Sequence, residues 1–205
     1  DLLMLGETDV QNIVTNIEES ITSLIENGAK KIIVLNLPQL ADSPGFSTEF
    51  PTIYLSQNTP TARVRKSVTE FNTILATMLE RIDACNRHVT ITHVDIAPLF
   101  AEAATNPTKF GLVGDVTKPR FSEKEYFLNN DLIVNPNAAN ALWFDGVHPT
   151  TTFHEAIANE VHNVVNNKNT KTGKNNKAAK ITRNVKCPKG AKSSRSVKDS
   201  KDTKK

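Results

Sequence analysis

No apolar run in the 205 residues approaches the roughly 20 needed to cross a bilayer as a helix, which excludes a helical membrane span. There is no initiator methionine and no charged-then-apolar leader in "DLLMLGETDV". The expectation is that these residues open in the interior of a longer polypeptide. Cysteine is scarce. Cys85 and Cys187 alone cannot form a disulfide framework and do not assign a redox compartment. A bridge between them is left open, since one falls in an expected helix and the other in the C-terminal segment. No internal repeat is visible, which excludes a solenoid or propeller.

Apolar residues are scarcest at the C-terminal end, from Lys168 to Lys205. There 12 Lys and 2 Arg face only Asp199 and Asp202, a net of +12; of the formal +3, residues 1–167 therefore carry −9. So little apolar surface cannot offset the entropy of ordering, and the segment reads as a disordered Lys-rich tail over 167–205. Its function class is a solvated extension or an electrostatic tether to an anionic polymer or membrane surface. Aromatic residues interleaved with the charges are missing, so specific nucleic-acid recognition is not expected, and any such binding should be salt-sensitive.

The first 166 residues are patterned for one domain. Val10, Ile13, Val14, Ile17, Ile21, Leu24 and Ile25 recur at helical spacing, with Thr8 and Gln11 at capping-box spacing before them and Gly28 after them. Ile32 to Leu35 is a short apolar run closed by Pro38, suiting a strand buried on both faces in a parallel sheet. Residues 39–60, rich in Pro, Ser, Thr and Gly, read as a surface loop. Val64, Val68, Phe71, Leu75, Met78 and Ile82 mark a second long helix, and "HVTITHV" (88–94) a second strand. "IAPLFAEAAT" follows as a short helix whose Pro98 fits only its first turn. Residues 106–141 show no periodicity, and a last helix is expected from about Thr150 to Val165. Helix and strand alternate as in a doubly wound α/β domain, but two strands are too few for its sheet. The missing strands are expected before Asp1.

The chemistry is concentrated in "LWFDGVHPTTTFHEAIANEV" (142–161). An imidazole that takes a proton and a carboxylate that fixes its tautomer form the base side of a serine-hydrolase triad. Asp145 and His148 stand three apart on a turn that ends at Pro149. Gly146 relieves the backbone there, and Thr150 or Thr151 is placed to cap the last helix. On spacing alone this is also an ordinary turn into a helix. Trp143 and Phe144 read as packing residues, with lining an acyl pocket as the alternative role. A metal reading of "HEAIANEVH" fails because Ala158 occupies the place of the second histidine of H-E-x-x-H. His154 and His162 are eight apart, about 12 Å along a helix, too far to share one ion with Glu155. His93 reads as a packed or edge histidine and His88 as solvent-facing.

The blocks "GAKKIIVLNLPQL", "VTEFNTILATML", "ITHVDIAPLFAEAATNPTKFGL" and "LWFDGVHPTTTFHEAIA", in that order over roughly residues 1–165, resemble the GDSL lipases, or SGNH hydrolases. The likeness is nearest to their lipolytic branch of lysophospholipases and acyltransferases. The resemblance implies an α/β fold: the C-terminal part of a three-layer α/β/α, flavodoxin-like domain with a parallel sheet, occupying residues 1–166. It implies ester hydrolysis, on lipid or other carboxylic esters, with Asp145 and His148 as the catalytic Asp and His. It calls for no metal and no organic cofactor, and favours a secreted or cell-envelope location. The family carries its nucleophile in an N-terminal Gly-Asp-Ser block and its oxyanion donors, a Gly and an Asn, in two later blocks. Residues 1–205 contain no Gly-Asp-Ser; Ser43 in "ADSPG" lies after the first strand and reads as a turn. Arg120 stands where relatives of this type often have a cysteine, so the family disulfide in that loop is not expected. Two functions follow from these readings. One is an ester hydrolase whose serine lies in polypeptide outside these residues. The other is an inactive hydrolase remnant that binds anionic polymers or membranes through its tail.

Overall fold

A computed structural model describes residues 9–46, 61–121, 140–170 and Cys187. Its elements are α1 (Val10–Glu26), β1 (Lys31–Leu35), α2 (Thr61–Cys85), β2 (Thr90–Val94), α3 (Ala97–Thr105) and α4 (Thr151–Thr170). Short 3₁₀ turns lie at Leu40–Asp42, Pro44–Phe46 and Pro107–Phe110. The fold is α/β, with β1 and β2 paired in parallel from Lys31 opposite Thr90 to Leu35 opposite Val94.

The start of α1 is capped one residue later than the sequence pattern suggests. Asp9, not Thr8, is the N-cap, and its Oδ1 accepts the Asn12 amide at 2.9 Å. Thr8 lies outside the described residues. The other end follows the pattern: Gly28 adopts φ +96°, a conformation that L side chains resist, and nothing lies within 4 Å of where its Cβ would be. The Gly28 amide reaches Ile25 O and the Ala29 amide reaches Leu24 O. These two bonds satisfy the last carbonyls of the helix.

The two faces of the sheet carry different cores. Ile32 and Ile91 point toward α1 and α2, where Val10, Val14, Val68, Phe71, Leu75 and Ile82 are buried. Val94 points the other way, into a cluster with Phe100, Leu112, Trp143 and Phe153. That second cluster lies against β2. On β1 the residues of this face, Ile33 and Leu35, remain exposed, Ile33 by 46%. The expectation of a strand buried on both faces is therefore corrected for β1. Helices α1 and α2 cover one face, whereas α4 packs on β2 and leaves the neighbouring strand uncovered. Among the described residues β1 pairs with β2 alone.

The C-terminal segment brings two further differences. Helix α4 continues to Thr170, so the first residues assigned to the tail are helical. Cys187 forms a disulfide with Cys85, the last residue of α2, across 102 positions of sequence. The expectation of disorder over 171–186 and 188–205 falls outside the described residues. Among those described, no helix is long and apolar enough to cross a membrane.

Candidate active site

Residues 142–150 double back as a narrow antiparallel ribbon. The Thr150 amide donates to Leu142 O at 3.0 Å and the Phe144 amide to His148 O at 2.8 Å, with Trp143 paired to Pro149 between them. A second segment runs alongside, in parallel: Pro119 pairs with Trp143, and the Arg120 and Phe121 amides donate to Trp143 O and Phe144 O. At its base the ribbon joins α4 through Thr150, whose hydroxyl donates to Ala141 O at 2.6 Å and accepts the Phe153 amide at 3.4 Å. Of the two threonines adjoining the turn, Thr150 is the cap. Phe153 is fully buried just beyond it. The turn is thus fixed to the rigid core on one side and to a neighbouring segment on the other.

The turn between the two strands of this ribbon brings Asp145 and His148 together. Asp145 Oδ1 accepts the Val147 amide at 2.9 Å and the His148 amide at 2.7 Å, and its Oδ2 lies 2.8 Å from His148 Nδ1. The carboxylate side chain is 13% exposed, and the imidazole 65%. With Nδ1 donating to the carboxylate, Nε2 is the nitrogen that can accept a proton, and it has no hydrogen-bond partner among the described residues. A buried carboxylate that orients an exposed imidazole is an arrangement with the chemistry of a general base: one ring nitrogen held as donor, the other able to take a proton.

This turn rests on the segment that leaves β1. The Gly45 amide donates to Gly146 O at 2.6 Å, and Ser43, Pro44, Gly45, Gly146 and Val147 are all buried. Gly146 does not adopt a positive φ; among the described residues Gly28, Gly111 and Gly114 do. The expected backbone relief is therefore not what Gly146 provides there. The contact it makes is this close backbone approach. The start of the 39–60 segment is likewise not a surface loop. The Ser43 hydroxyl donates to Leu40 O at 2.8 Å, which is the turn geometry expected of it.

Upstream, Asn36 ties the ends of both strands together. Its Nδ2 donates to Asp95 Oδ1 at 2.6 Å, and its Oδ1 accepts the Ile96 amide at 2.8 Å. Asn72 on α2 brackets Leu37, taking its amide at 3.0 Å and donating to its carbonyl at 2.8 Å. Arg65 pairs with Asp42, and that carboxylate raises the guanidinium pKa above its usual value. Polar side chains thus define the path from β1 to Gly45. Sequence reading missed this support. A lone Asn at a strand end and a Gly in a Ser-Pro-Gly turn give no local signal of partners 59 and 60 residues away for Asn36, and about 100 for Gly45.

The remaining histidines stand apart from this site. His154 is exposed, its Nδ1 3.0 Å from Thr150 O, and His162 contacts Asn166 one turn on. His88 is exposed, as expected. His93 is partly buried on β2, with no hydrogen-bond partner at Nε2 among the described residues. Trp143 and Phe144 take opposite roles: Trp143 is 4% exposed, its ring centroid 5.6 Å from that of Phe100, whereas Phe144 is 48% exposed.

Two comparisons bear on this geometry. The model of the GDSL-like Lipase/Acylhydrolase family matches residues 6–161. A GDSL esterase/lipase of Arabidopsis thaliana is 26% identical over 145 residues, covering 68% of this chain and 39% of that protein. The chain spans about two-fifths of the length of that relative.

Proposed function

The chain belongs to the GDSL-like lipase/acylhydrolase family, and from that premise we propose that it supplies the base half of a Ser-His-Asp ester hydrolase. The observation that carries the reading is the Asp145–His148 pair. Its carboxylate accepts two amides and holds one imidazole nitrogen, and the His148 side chain is 65% exposed.

In this mechanism His148 Nε2 takes the proton of a serine hydroxyl as the oxygen attacks the ester carbonyl. Asp145 holds the neutral tautomer and stabilises the imidazolium that forms. Collapse of the tetrahedral intermediate breaks the ester C–O bond, and His148 returns its proton to the departing alcohol. Water, activated by the same imidazole, then releases the acid and regenerates the serine. No Gly-Asp-Ser occurs in residues 1–205. The serine and its oxyanion donors are accordingly assigned to polypeptide outside these residues, and residues 1–205 alone are expected to be inactive. The substrate class is a carboxylic ester, with lipid esters favoured by the family name. The Cys85–Cys187 disulfide supports an oxidising compartment for the protein.

The test is ester turnover by the natural polypeptide that carries these residues. His148→Ala should lower kcat for p-nitrophenyl acetate by on the order of 10⁴-fold or more, with the circular dichroism spectrum unchanged. His154→Ala, six residues along, should retain activity. Near-normal rates in the His148→Ala protein would end the assignment.

A further inference from the structure

Residues opposite one another in an antiparallel ribbon project from the same face, with their Cβ atoms roughly 5 Å apart. The Trp143–Pro149 pairing and the Phe144 N to His148 O bond put Phe144 opposite His148. Both are exposed, while Trp143 turns inward to Phe100. On the other side of Phe144, the parallel segment brings up Phe121. The two rings are 6.2 Å apart and 20° from parallel, close to a stacked arrangement, and the Phe121 amide is bonded to Phe144 O at 2.7 Å. The row Phe121–Phe144–His148 therefore carries an apolar surface right up to the imidazole.

A single exposed Phe would need no explanation. Two stacked aromatic rings are different when they lie on a ribbon fixed by backbone bonds on both sides and beside a carboxylate-oriented imidazole. The interior already holds Trp143, Phe100, Phe110 and Phe153 in mutual contact. Stability of that core does not require Phe144 to face solvent.

We infer that Phe144, backed by Phe121, is the platform on which an apolar group of the ester lies when the scissile bond is at His148. The inference rests on the hydrolase reading above and names what that reading leaves open: the residues that set the enzyme's preference for an extended hydrocarbon group next to the reacting bond. The group is carried either by the acid or by the alcohol. Both are apolar, and both run close to the imidazole that serves the leaving oxygen.

The experiment measures kcat/KM in the natural polypeptide along two series. One lengthens the acyl chain, from p-nitrophenyl acetate to octanoate. The other lengthens the alcohol, from ethyl to octyl acetate. In one series the preference for the long ester over the short one should fall about tenfold in Phe144→Ala and recover in Phe144→Leu. That series identifies the side of the ester involved. A long-to-short ratio within twofold of the parent in both series, with turnover intact, would overturn the platform. Absence of ester turnover in the parent, or turnover that survives His148→Ala, would instead defeat the hydrolase reading. The platform is then decided by calorimetric titration with 1-octanol against ethanol. Phe144→Ala should weaken octanol binding at least about fivefold; titrations that match the parent, or that detect no octanol binding, would overturn it.

Discussion

The Asp145 carboxylate serves two groups that substitution can separate. Oδ1 anchors the turn through the Val147 and His148 amides, and Oδ2 orients the imidazole. In Asp145→Asn the amide oxygen can still take the backbone N–H groups, but its NH₂ now faces Nδ1. The proton moves to Nε2, where the ring can no longer accept one. Turnover by the natural polypeptide should therefore fall by on the order of 10⁴-fold with little loss of stability. Asp145→Ala removes the amide acceptors as well and should destabilise the fold by about 2 kcal/mol, read as a lower urea midpoint. Adding His148→Ala to Asp145→Asn should cost scarcely more than His148→Ala alone, because members of a triad act as a unit. An Asn variant with parental turnover would remove Asp145 from the mechanism.

At the scale of elements, β1 departs most from what parallel strands usually do. Such strands are covered on both faces, yet Ile33 and Leu35 are exposed on the face that α4 does not reach, and β2 is the strand paired with β1. An apolar face beside a strand edge that is unpaired among the described residues is a template for association. Residues 1–205 produced by themselves should therefore elute from a sizing column largely as aggregates. Ile33→Lys should raise the monomer fraction several-fold. A parent that is monomeric and unfolds cooperatively on heating, or a variant that elutes no differently, would mean that this face is already covered.

At the scale of the whole molecule, charge and covalent connection have to be read together. The stretch from Lys168 is strongly basic and the preceding residues are acidic, but Cys187 is bound to Cys85. Cys85 ends α2 some 20 residues, roughly 30 Å, beyond Arg65, which is paired near the site end of the helix. The basic segment is thereby tethered at the end of the domain remote from His148. Trypsin should cut after lysines beyond Thr170 without releasing the fragment that contains Cys187, and mass spectrometry should find it only after reduction. Retention on heparin should be lost on extensive cleavage even without reductant, because cuts after Lys186 and Lys189 leave no more than Cys187–Lys189 on the bridge. Release of the Cys187 peptide without reductant would refute the bridge in solution. Retention by the acidic body alone would refute the electrostatic role of the tail.

The sequence by itself determined the order of helices and strands, the buried stripe of α2 and the Asp145–His148 spacing. Each is set within a few residues: apolar side chains at helical spacing share a face whatever lies beyond them, and three residues of turn place a carboxylate near an imidazole. Even here the detail shifted, since Asp9 and not Thr8 caps α1. Tertiary structure decided what depends on partners far along the chain. Trp143 and Phe144 are adjacent and equally apolar, and no local rule says which enters the core. The ribbon's pairing with Pro119 and Pro149 sent one inward and left the other beside His148. The Gly45 support for Gly146 and the Cys85–Cys187 bridge each join segments about 100 residues apart. Such contacts form only when packing has already brought the two backbones together: two cysteines leave a bridge open without deciding it, and nothing local marks Gly45 as the partner of Gly146.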